Sequence, residues 1–298
     1  MILLLERALP YNFRGGFMLT EFNDMLNQVV SGSIDMHVHA APDANTERRF
    51  DMIETALLAE ELGMGGIVFK SHEYPTAPII PYVQEQVEEL QCFGSIALDE
   101  EVGGLNPHAL EICAKLDGKV VWMPTFTSDY GRSRQTPRKP GIRVIDDNKK
   151  LLPVMGDILD IIKQYGMVLA TGHLWPEEIM ILTAEASRRG IKTICTHITF
   201  WMPLDDLKTI AQRDHVYLEH CFLQVLPQGR RDPEQFFSIM REIGPEKSVL
   251  STDLGQAHNP PPPEGFRMAM AHALRAGFKD SDVSRMVKDN PRTLLGLK

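Results

Sequence analysis

The sequence of 298 residues lacks several features that define whole classes of protein. Its cysteines are Cys92, Cys113, Cys195 and Cys221, with no Cys-x-x-Cys pair, so neither a zinc ribbon nor a secreted disulfide framework is indicated. No apolar stretch approaches the roughly 20 residues that a membrane-spanning helix needs. The N-terminus also lacks the basic region and cleavage site of a signal peptide. We therefore expect a cytoplasmic protein with reduced thiols and no membrane partner.

Positive charge is in deficit. Lysine and arginine total 31 against 40 acidic residues, for a formal net charge of −9. Nucleic-acid binding and binding to an anionic membrane require a positive field, so the composition argues against both partners. The hydrophobic fraction of 43% and the charged fraction of 24% are ordinary for a folded protein. A chain of this length buries about 75% of its unfolded surface, which excludes general disorder.

The Gly-x-Gly-x-x-Gly fingerprint of nucleotide-binding folds does not follow the early strands. Instead, short apolar strands alternate with amphipathic helical patterns from about residue 34 onward. The predicted strands are Ile34–His39, Gly66–Lys70, Cys92–Leu98, Val120–Pro124, Met167–Thr171, Thr193–His197, Val216–His220 and Ser248–Asp253.

Helical patterns fill the segments between these strands, and several begin with a proline, which is tolerated in the first helical turn. The predicted helices are Arg48–Leu62, Pro81–Leu90, Pro107–Leu116, Pro153–Tyr165, Glu177–Arg189, Pro203–Arg213, Pro233–Ile243 and Gly265–Ala276. A strand-helix unit of about 33 residues is typical of a βα repeat. The sequence therefore predicts an α/β protein with a (β/α)8 TIM barrel over residues 31–298 and a short N-terminal extension over residues 1–30. An open, doubly wound sheet would give a similar local pattern.

Polar residues concentrate where the predicted strands end. In a barrel the carboxyl ends of all strands meet at one mouth, which is where such folds place their active sites. His37 and His39 are two residues apart on the first strand, so both point to the same face. The other polar residues at strand ends are Lys70, His72, His173, His197, Glu219, His220 and Asp253.

Imidazole nitrogens and a carboxylate that converge from several strands are suited to Zn²⁺ or a similar divalent ion. A single histidine near a strand end is more often an ordinary hydrogen-bonded residue. Burying all of these groups at one place without a metal would leave them desolvated and poorly satisfied. The joint pattern therefore predicts a metal site at the barrel mouth.

Several of these residues together resemble the amidohydrolase superfamily of metal-dependent barrel hydrolases. The resemblance consists of Asp35-Met36-His37-Val38-His39 on the first strand, His173 and His197 after the fifth and sixth strands, and Asp253 after the eighth. It implies that His37, His39 and Asp253 bind one metal ion and that His173 is a further ligand. His197 is then either a ligand of a second ion or a catalytic imidazole that polarises the substrate.

The sequence departs from the superfamily pattern on the fourth strand. Binuclear members usually have a bridging carboxylated lysine or a glutamate there, whereas this strand reads Val120-Val121-Trp122-Met123-Pro124. Lys70 or Glu219 would have to bridge instead. The cofactor is thus one or two divalent ions, with Zn²⁺ first and Mn²⁺ or Fe²⁺ as alternatives.

The resemblance favours hydrolysis, in which the metal activates water and Asp253 acts as the general base. His197, Lys70 or His72 would stabilise the developing oxyanion. The loop after the fourth strand is rich in positive charge, with Arg132 and Arg134 beside the predicted mouth. Arginine presents a fork suited to carboxylates and phosphates. These residues predict a small anionic substrate with an amide, lactone or ester bond.

Other functions stay open at this point. A metal-dependent, non-oxidative decarboxylase of an aromatic or unsaturated acid would use the same ligands and the same arginines. A phosphoesterase is a third candidate, and a metal-binding barrel without catalysis is a fourth. The basic loop also fits a solvated surface or a contact between subunits, so a homo-oligomer is left open.

Overall fold

A computed structural model describes residues 14–133 and 135–297, and it confirms the α/β class with parallel strands. Each predicted strand is present, with bounds that differ slightly. The strands β1 to β9 are Ile34–Val38, Gly66–Phe69, Gln91–Phe93, Ser95–Ala97, Val120–Trp122, Val168–Ala170, Thr193–Cys195, Val216–Cys221 and Ser248–Ser251.

The strands form two parallel sheets in the described part of the chain, one of order β1-β2-β3 and one of order β4-β5-β6-β7-β8-β9. A single residue, Gly94, separates β3 from β4, which together occupy the predicted third strand. β1 and β9, at the opposite edges of the two sheets, also lie side by side. The amide of Asp253 donates to the carbonyl of His37 at 2.9 Å, and the amide of His39 donates to the carbonyl of Leu254 at 2.8 Å.

Helices separate successive strands other than β3 and β4, as expected for parallel pairing. In the described residues, the α-helices α1 to α12 are Arg14–Val30, Met52–Glu61, Ile80–Gln84, Pro107–Lys115, Asp129–Arg132, Pro153–Tyr165, Pro176–Arg189, Leu204–Ala211, Pro233–Ile243, Pro262–Arg275, Asp280–Ser284 and Asn290–Leu295. None of the helices in this part of the chain is long and apolar enough to cross a membrane.

The sequence placed two helix boundaries wrongly by four or more residues. The predicted helix Pro81–Leu90 ends at Gln84. The predicted helix Arg48–Leu62 begins at Met52, because Asp51 caps its N-terminus and forms a capping box with Glu54. Arg48 lies outside the helix and forms an isolated antiparallel bridge with Gln256. The side chain of Arg48 is thereby placed in the loop after β1 instead of on a helix.

The predicted N-terminal extension, residues 1–30, contains α1, which contacts α10 and α11. Leu26, Val29 and Val30 are buried in the same apolar cluster as residues of α10. The end of this segment therefore belongs to the core, while the division at residue 30 stays a prediction. Residues 1–13 lie outside the described part of the chain.

Apolar side chains pack on both faces of the strands. Ile34, Val68 and Val120 belong to a cluster made mostly of strand residues, and two larger clusters contain the buried faces of the helices. Strands that are covered on both faces have nearly continuous apolar sequences, which explains why the sequence located them well. The polar residues that remain buried lie mainly where the strands end.

Candidate functional site

Asp35 ties the ends of β1 and β9 together. Its fully buried carboxylate accepts hydrogen bonds from the amide of Thr252 at 3.1 Å, the hydroxyl of Thr252 at 2.6 Å and the amide of His37 at 3.2 Å. Burial raises the pKa of Asp35 to about 7, although these bonds oppose that rise. Because Thr252 precedes Asp253, the contact places Asp253 beside His37.

His37, His39 and Asp253 form the clearest candidate metal centre in the described residues. Asp253 Oδ1 lies 3.2 Å from His37 Nε2 and 3.2 Å from His39 Nε2, and one ligand atom of each residue lies within 4.8 Å of the others. Burial lowers the pKa of His37 to about 3 and also lowers that of His39. Both imidazoles are therefore neutral, as metal ligands must be.

The pKa of Asp253 is lowered overall. Burial alone would raise it, but the electrostatic interactions with His37, His197 and Lys70 lower it by more. The carboxylate is consequently ionised at neutral pH, and the three side chains offer two neutral nitrogens and one anionic oxygen. This donor set fits a divalent ion such as Zn²⁺.

Two predicted bridging residues flank His37. Lys70 Nζ lies 3.1 Å from His37 Nε2, and burial lowers the pKa of this lysine. Glu219 Oε2 lies 3.2 Å from His37 Nδ1 and also accepts from the amide of His197 at 3.1 Å. A carboxylate on the second ring nitrogen of a ligating histidine fixes its tautomer and orientation. Glu219 is thus placed to orient His37.

A second group of potential ligands consists of His37, Glu219 and Cys221. Burial raises the pKa of the Cys221 thiol well above its usual range. A protonated thiol is a poor ligand, because metals bind the thiolate. The group with His39 and Asp253 is therefore the better fit to a metal.

The structure also brings His173 and His197 together. Their Nε2 atoms are 3.0 Å apart, and the ring of His197 stacks at 6.0 Å from that of His37. Burial lowers the pKa of His173, and it lowers that of His197 to about 4. Trp201 contacts both rings, with centroids 5.3 Å from His173 and 4.5 Å from His197.

His72 is held in place by contacts with His39 and Thr125. Its ring stacks on His39 at 4.9 Å, and its Nδ1 lies 2.6 Å from Thr125 Oγ1. Thr125 in turn donates its amide and hydroxyl to Asp99. Asp99 follows β4, and the sequence interpretation did not single it out. Its carboxylate and Thr125 fix the orientation of His72.

The backbone at the site adopts unusual conformations. His197 has φ of 32° and Asp253 has φ of 58°, in the left-handed region that non-glycine residues rarely adopt. Such conformations persist where the surrounding structure imposes them, and they are common at functional sites. Gly255 has φ of 141°, and a Cβ there would lie 2.0 Å from the carbonyl oxygen of His39. The chain after β9 thus requires glycine at this point.

A cavity of about 160 Å³ opens next to these residues. Its wall contains most of the predicted site residues together with several that the sequence interpretation missed. The lining residues are His39, Thr46, Arg48, Lys70, His72, Phe126, His173, His197, Leu223, Gln228, Asp253 and Gln256.

Arg48 is the most important residue that the sequence interpretation missed. The sequence predicted it as the first residue of a helix, whereas the structure places it in the cavity wall. Only its bridge to Gln256, far along the chain, reveals this position. The spacing of Asp51 and Glu54 is a local signal that the helix begins after Arg48, but it does not place Arg48 in the cavity wall.

The structure describes only one of the two arginines that were predicted to bind substrate. Arg134 lies outside the described residues. Arg132 donates to both carboxylate oxygens of Glu100 at 2.6 Å and to the carbonyl of Pro140. It lines a second cavity of about 340 Å³, which shares His72 and Phe126 with the first. The role of both arginines in substrate binding stays a prediction.

Solved structures share this fold at low sequence identity. An amidohydrolase from Pseudomonas aeruginosa is 12% identical, with a TM-score of 0.58 over 92% of this chain and 98% of that chain. A 2,6-dihydroxybenzoate decarboxylase in complex with 2,6-dihydroxybenzoate is 10% identical, with a TM-score of 0.56 over 90% and 100% of the two chains. A dihydroorotase from Campylobacter jejuni is 12% identical, with a TM-score of 0.55 over 90% and 84%.

This chain thus shares the fold of these solved structures. A family model matches residues 32–219, more than half of the chain, and its description is a family of unknown function (DUF6282). The chain belongs to this family. No curated protein matches the sequence significantly.

Proposed function

We propose that the protein is a metal-dependent hydrolase that cleaves an amide, lactone or ester bond in a small anionic substrate. The observation that carries the proposal is the group His37, His39 and Asp253, whose ligand atoms lie within 4.8 Å of one another. His39 and Asp253 also line the cavity. We further propose that the two sheets together form one (β/α)8 barrel, in which Gly94 interrupts the third strand. The cavity would lie at the mouth of this barrel.

His37, His39 and Asp253 would hold the ion, and Zn²⁺ suits this donor set, with Mn²⁺ or Fe²⁺ as alternatives. When bound, such an ion lowers the pKa of a water molecule from 15.7 to about 7, which supplies a nucleophile at neutral pH. The site is proposed to hold one ion. In the alternative with two ions, His173 and His197, whose Nε2 atoms are 3.0 Å apart, would be ligands of the second ion.

The chain's own residues supply the proton transfers and charge stabilisation. The Asp253 carboxylate accepts a proton from the attacking water and passes it to the leaving group. His197 and Lys70 line the cavity and donate to the oxygen of the scissile carbonyl as negative charge develops there. Stacking on His39 and the contact with Thr125 hold His72 in place for the same purpose.

A metal-dependent decarboxylase is the second candidate. The observation in its favour is that a 2,6-dihydroxybenzoate decarboxylase shares the fold along its entire length. Cationic groups in the cavity, such as Lys70, would bind the carboxylate of an aromatic acid equally well. Release of carbon dioxide without incorporation of water would support this reaction over hydrolysis.

Metal analysis of the purified protein tests the proposal. We expect about one equivalent of a divalent ion in the native protein and its loss in the double variant His37→Asn, His39→Asn. His108→Gln is the matched control, because His108 is exposed and lies on α4. A variant without the two ligands that binds metal like the native protein would exclude this centre.

A panel of esters, lactones, amides and aromatic acids then tests the reaction. We expect hydrolysis of at least one anionic member, loss of that activity with a chelator and recovery with Zn²⁺ or Mn²⁺. If carbon dioxide is released and no member of the panel is hydrolysed, the reaction is decarboxylation instead of hydrolysis. Metal binding without turnover of any substrate in the panel would favour a non-catalytic metal-binding protein.

A further inference from the structure

Arg48 lines the cavity, and one of its side-chain nitrogens has no hydrogen-bond partner among the described residues. Its side chain is 3% exposed. Nε and Nη2 donate to Asp43 Oδ2 at 2.8 and 2.6 Å. Nη1 is buried and has no hydrogen-bond partner among residues 14–133 and 135–297. Because a buried, charged donor without a partner is costly, the free nitrogen indicates a group that is supplied from the cavity.

Asp43 holds the guanidinium in a fixed orientation. The other carboxylate oxygen, Asp43 Oδ1, accepts from the backbone amides of Asn45 at 2.9 Å and Thr46 at 2.7 Å. The backbone of Arg48 is in turn bridged to Gln256, in the chain that follows Asp253. The arginine is therefore preorganised, and little side-chain freedom would be lost when Nη1 acquires a partner.

Arg48 also lies close to the candidate metal centre. It lines the same cavity as Lys70, His39 and Asp253. An anionic group held at Nη1 would thus belong to the molecule whose reacting bond lies at the metal centre.

We propose that Arg48 is the residue that recognises the substrate's negative charge, and that this charge is a carboxylate. The inference rests on the proposed function. It assigns to Arg48, in the loop after β1, the role that the sequence predicted for Arg132 and Arg134. Arg132 is already paired in a fork with Glu100, whereas Nη1 of Arg48 is free. One free nitrogen in a cavity of about 160 Å³ suits a planar monoanion better than a tetrahedral phosphate dianion.

The test measures binding of simple carboxylates by isothermal titration calorimetry. Acetate and benzoate are titrated into the protein as purified, with benzamide as the neutral counterpart of benzoate and inorganic phosphate as the alternative anion. The variant is the double substitution Asp43→Asn, Arg48→Met, which removes the cation without leaving the buried Asp43 carboxylate unpaired. The asparagine side chain retains an oxygen for the amides of Asn45 and Thr46. The thermal unfolding midpoint establishes that the variant folds.

We expect at least one carboxylate to bind the native protein and to bind the double variant 10- to 100-fold more weakly, as for loss of a charge-assisted hydrogen bond, which is about 1.5–3 kcal/mol. The affinity for benzamide should be the same in the native protein and in the double variant. Arg49→Met is the matched control, because the neighbouring Arg49 is exposed and donates to the carbonyl of Ala257. This control should bind like the native protein.

Unchanged affinity in the double variant, or no binding of either carboxylate by the native protein, would overturn the proposal. Phosphate binding that depends on Arg48 while carboxylate binding does not would overturn the assignment to a carboxylate. The titration requires no turnover and no particular metal. Failure of the hydrolase proposal, seen in metal content and product analysis, is therefore distinguishable from failure of this inference.

Discussion

Asp253 combines two properties that a ligand and a general base require. Its Oδ1 atom lies 3.2 Å from the Nε2 atoms of both His37 and His39, and the lowered pKa keeps the carboxylate ionised at neutral pH. Its left-handed backbone, with φ of 58°, points to a position imposed by the surrounding chain. An amide at this position would keep the shape of the side chain but would neither accept a proton nor carry charge.

We therefore expect Asp253→Asn to reduce kcat/KM for the substrate found in the panel by about 10²–10⁴, the usual contribution of a general base. The thermal unfolding midpoint of the metal-free protein, prepared with a chelator, should change little, because asparagine is nearly isosteric with aspartate. Steady-state kinetics and a thermal melt check both expectations. Asp147→Asn, at an exposed position, should leave both quantities unchanged. An Asp253→Asn protein with native turnover would rule out the catalytic role.

The strands and their polar ends could be predicted from the sequence because their signals are local. A run of apolar residues identifies a strand covered on both faces, and the period of two places His37 and His39 on one face. The position of Arg48 could not be predicted in this way. It depends on a bridge to Gln256, and its helical pattern is overridden by the cap at Asp51.

The charged residues in the loop after β5 show the same limitation of prediction from sequence. Its arginines were predicted to bind substrate because the sequence shows the positive residues together but not their partners. In the structure Arg132 pairs with Glu100, and Arg138 pairs with Asp129. The sequence does not show these pairs, so a cluster of basic residues does not by itself imply free positive charge. The role of Arg132 and Arg134 in substrate binding stays a prediction.

Glycine substitutions test how tightly the chain after β9 is packed against β1. In Gly255→Ala the new Cβ would lie 2.0 Å from the carbonyl oxygen of His39, at a backbone φ of 141°. We expect a loss of more than about 2 kcal/mol in the free energy of unfolding, because backbone must move and the conformation is strained. Urea denaturation followed by circular dichroism measures the change.

Gly156→Ala is the matched control for this prediction. Gly156 lies inside α6, and a Cβ added there would have nothing within 4 Å of it among the described residues. Alanine has the higher helix propensity, so this variant should gain up to about 1 kcal/mol. Equal stabilities for the two alanine variants would show that β1 and the chain after β9 are not packed closely.

The whole molecule buries many imidazoles in their neutral form. Burial lowers the pKa of His37 to about 3, of His197 to about 4 and of His220 to about 3. An unfolded chain would protonate these groups at an ordinary pKa of about 6.5. Unfolding therefore takes up protons below that pH, and the folded state becomes less stable as the solution is acidified. A tightly bound cation at His37 and His39 would oppose this loss by favouring the folded, deprotonated state.

His220 isolates the effect because both of its ring nitrogens contact hydroxyls, those of Thr199 and Ser248, and it is not one of the proposed metal ligands. Its folded pKa of about 3 lies below the value of 6.5 for a free imidazole. Its contribution to stability is therefore complete above pH 6.5 and declines as the pH falls towards 3. Between pH 7 and pH 5, we expect this residue to account for about 2 kcal/mol of lost stability.

Urea unfolding at pH 7 and pH 5 measures this loss in the native protein and in His220→Gln. The variant will be less stable at pH 7, because a buried side chain is replaced, but its stability should decrease by about 2 kcal/mol less between the two pH values. His108→Gln, at an exposed position, should follow the native pH dependence. If His220→Gln loses as much stability as the native protein, then His220 is protonated in the folded state or its ring remains accessible to water.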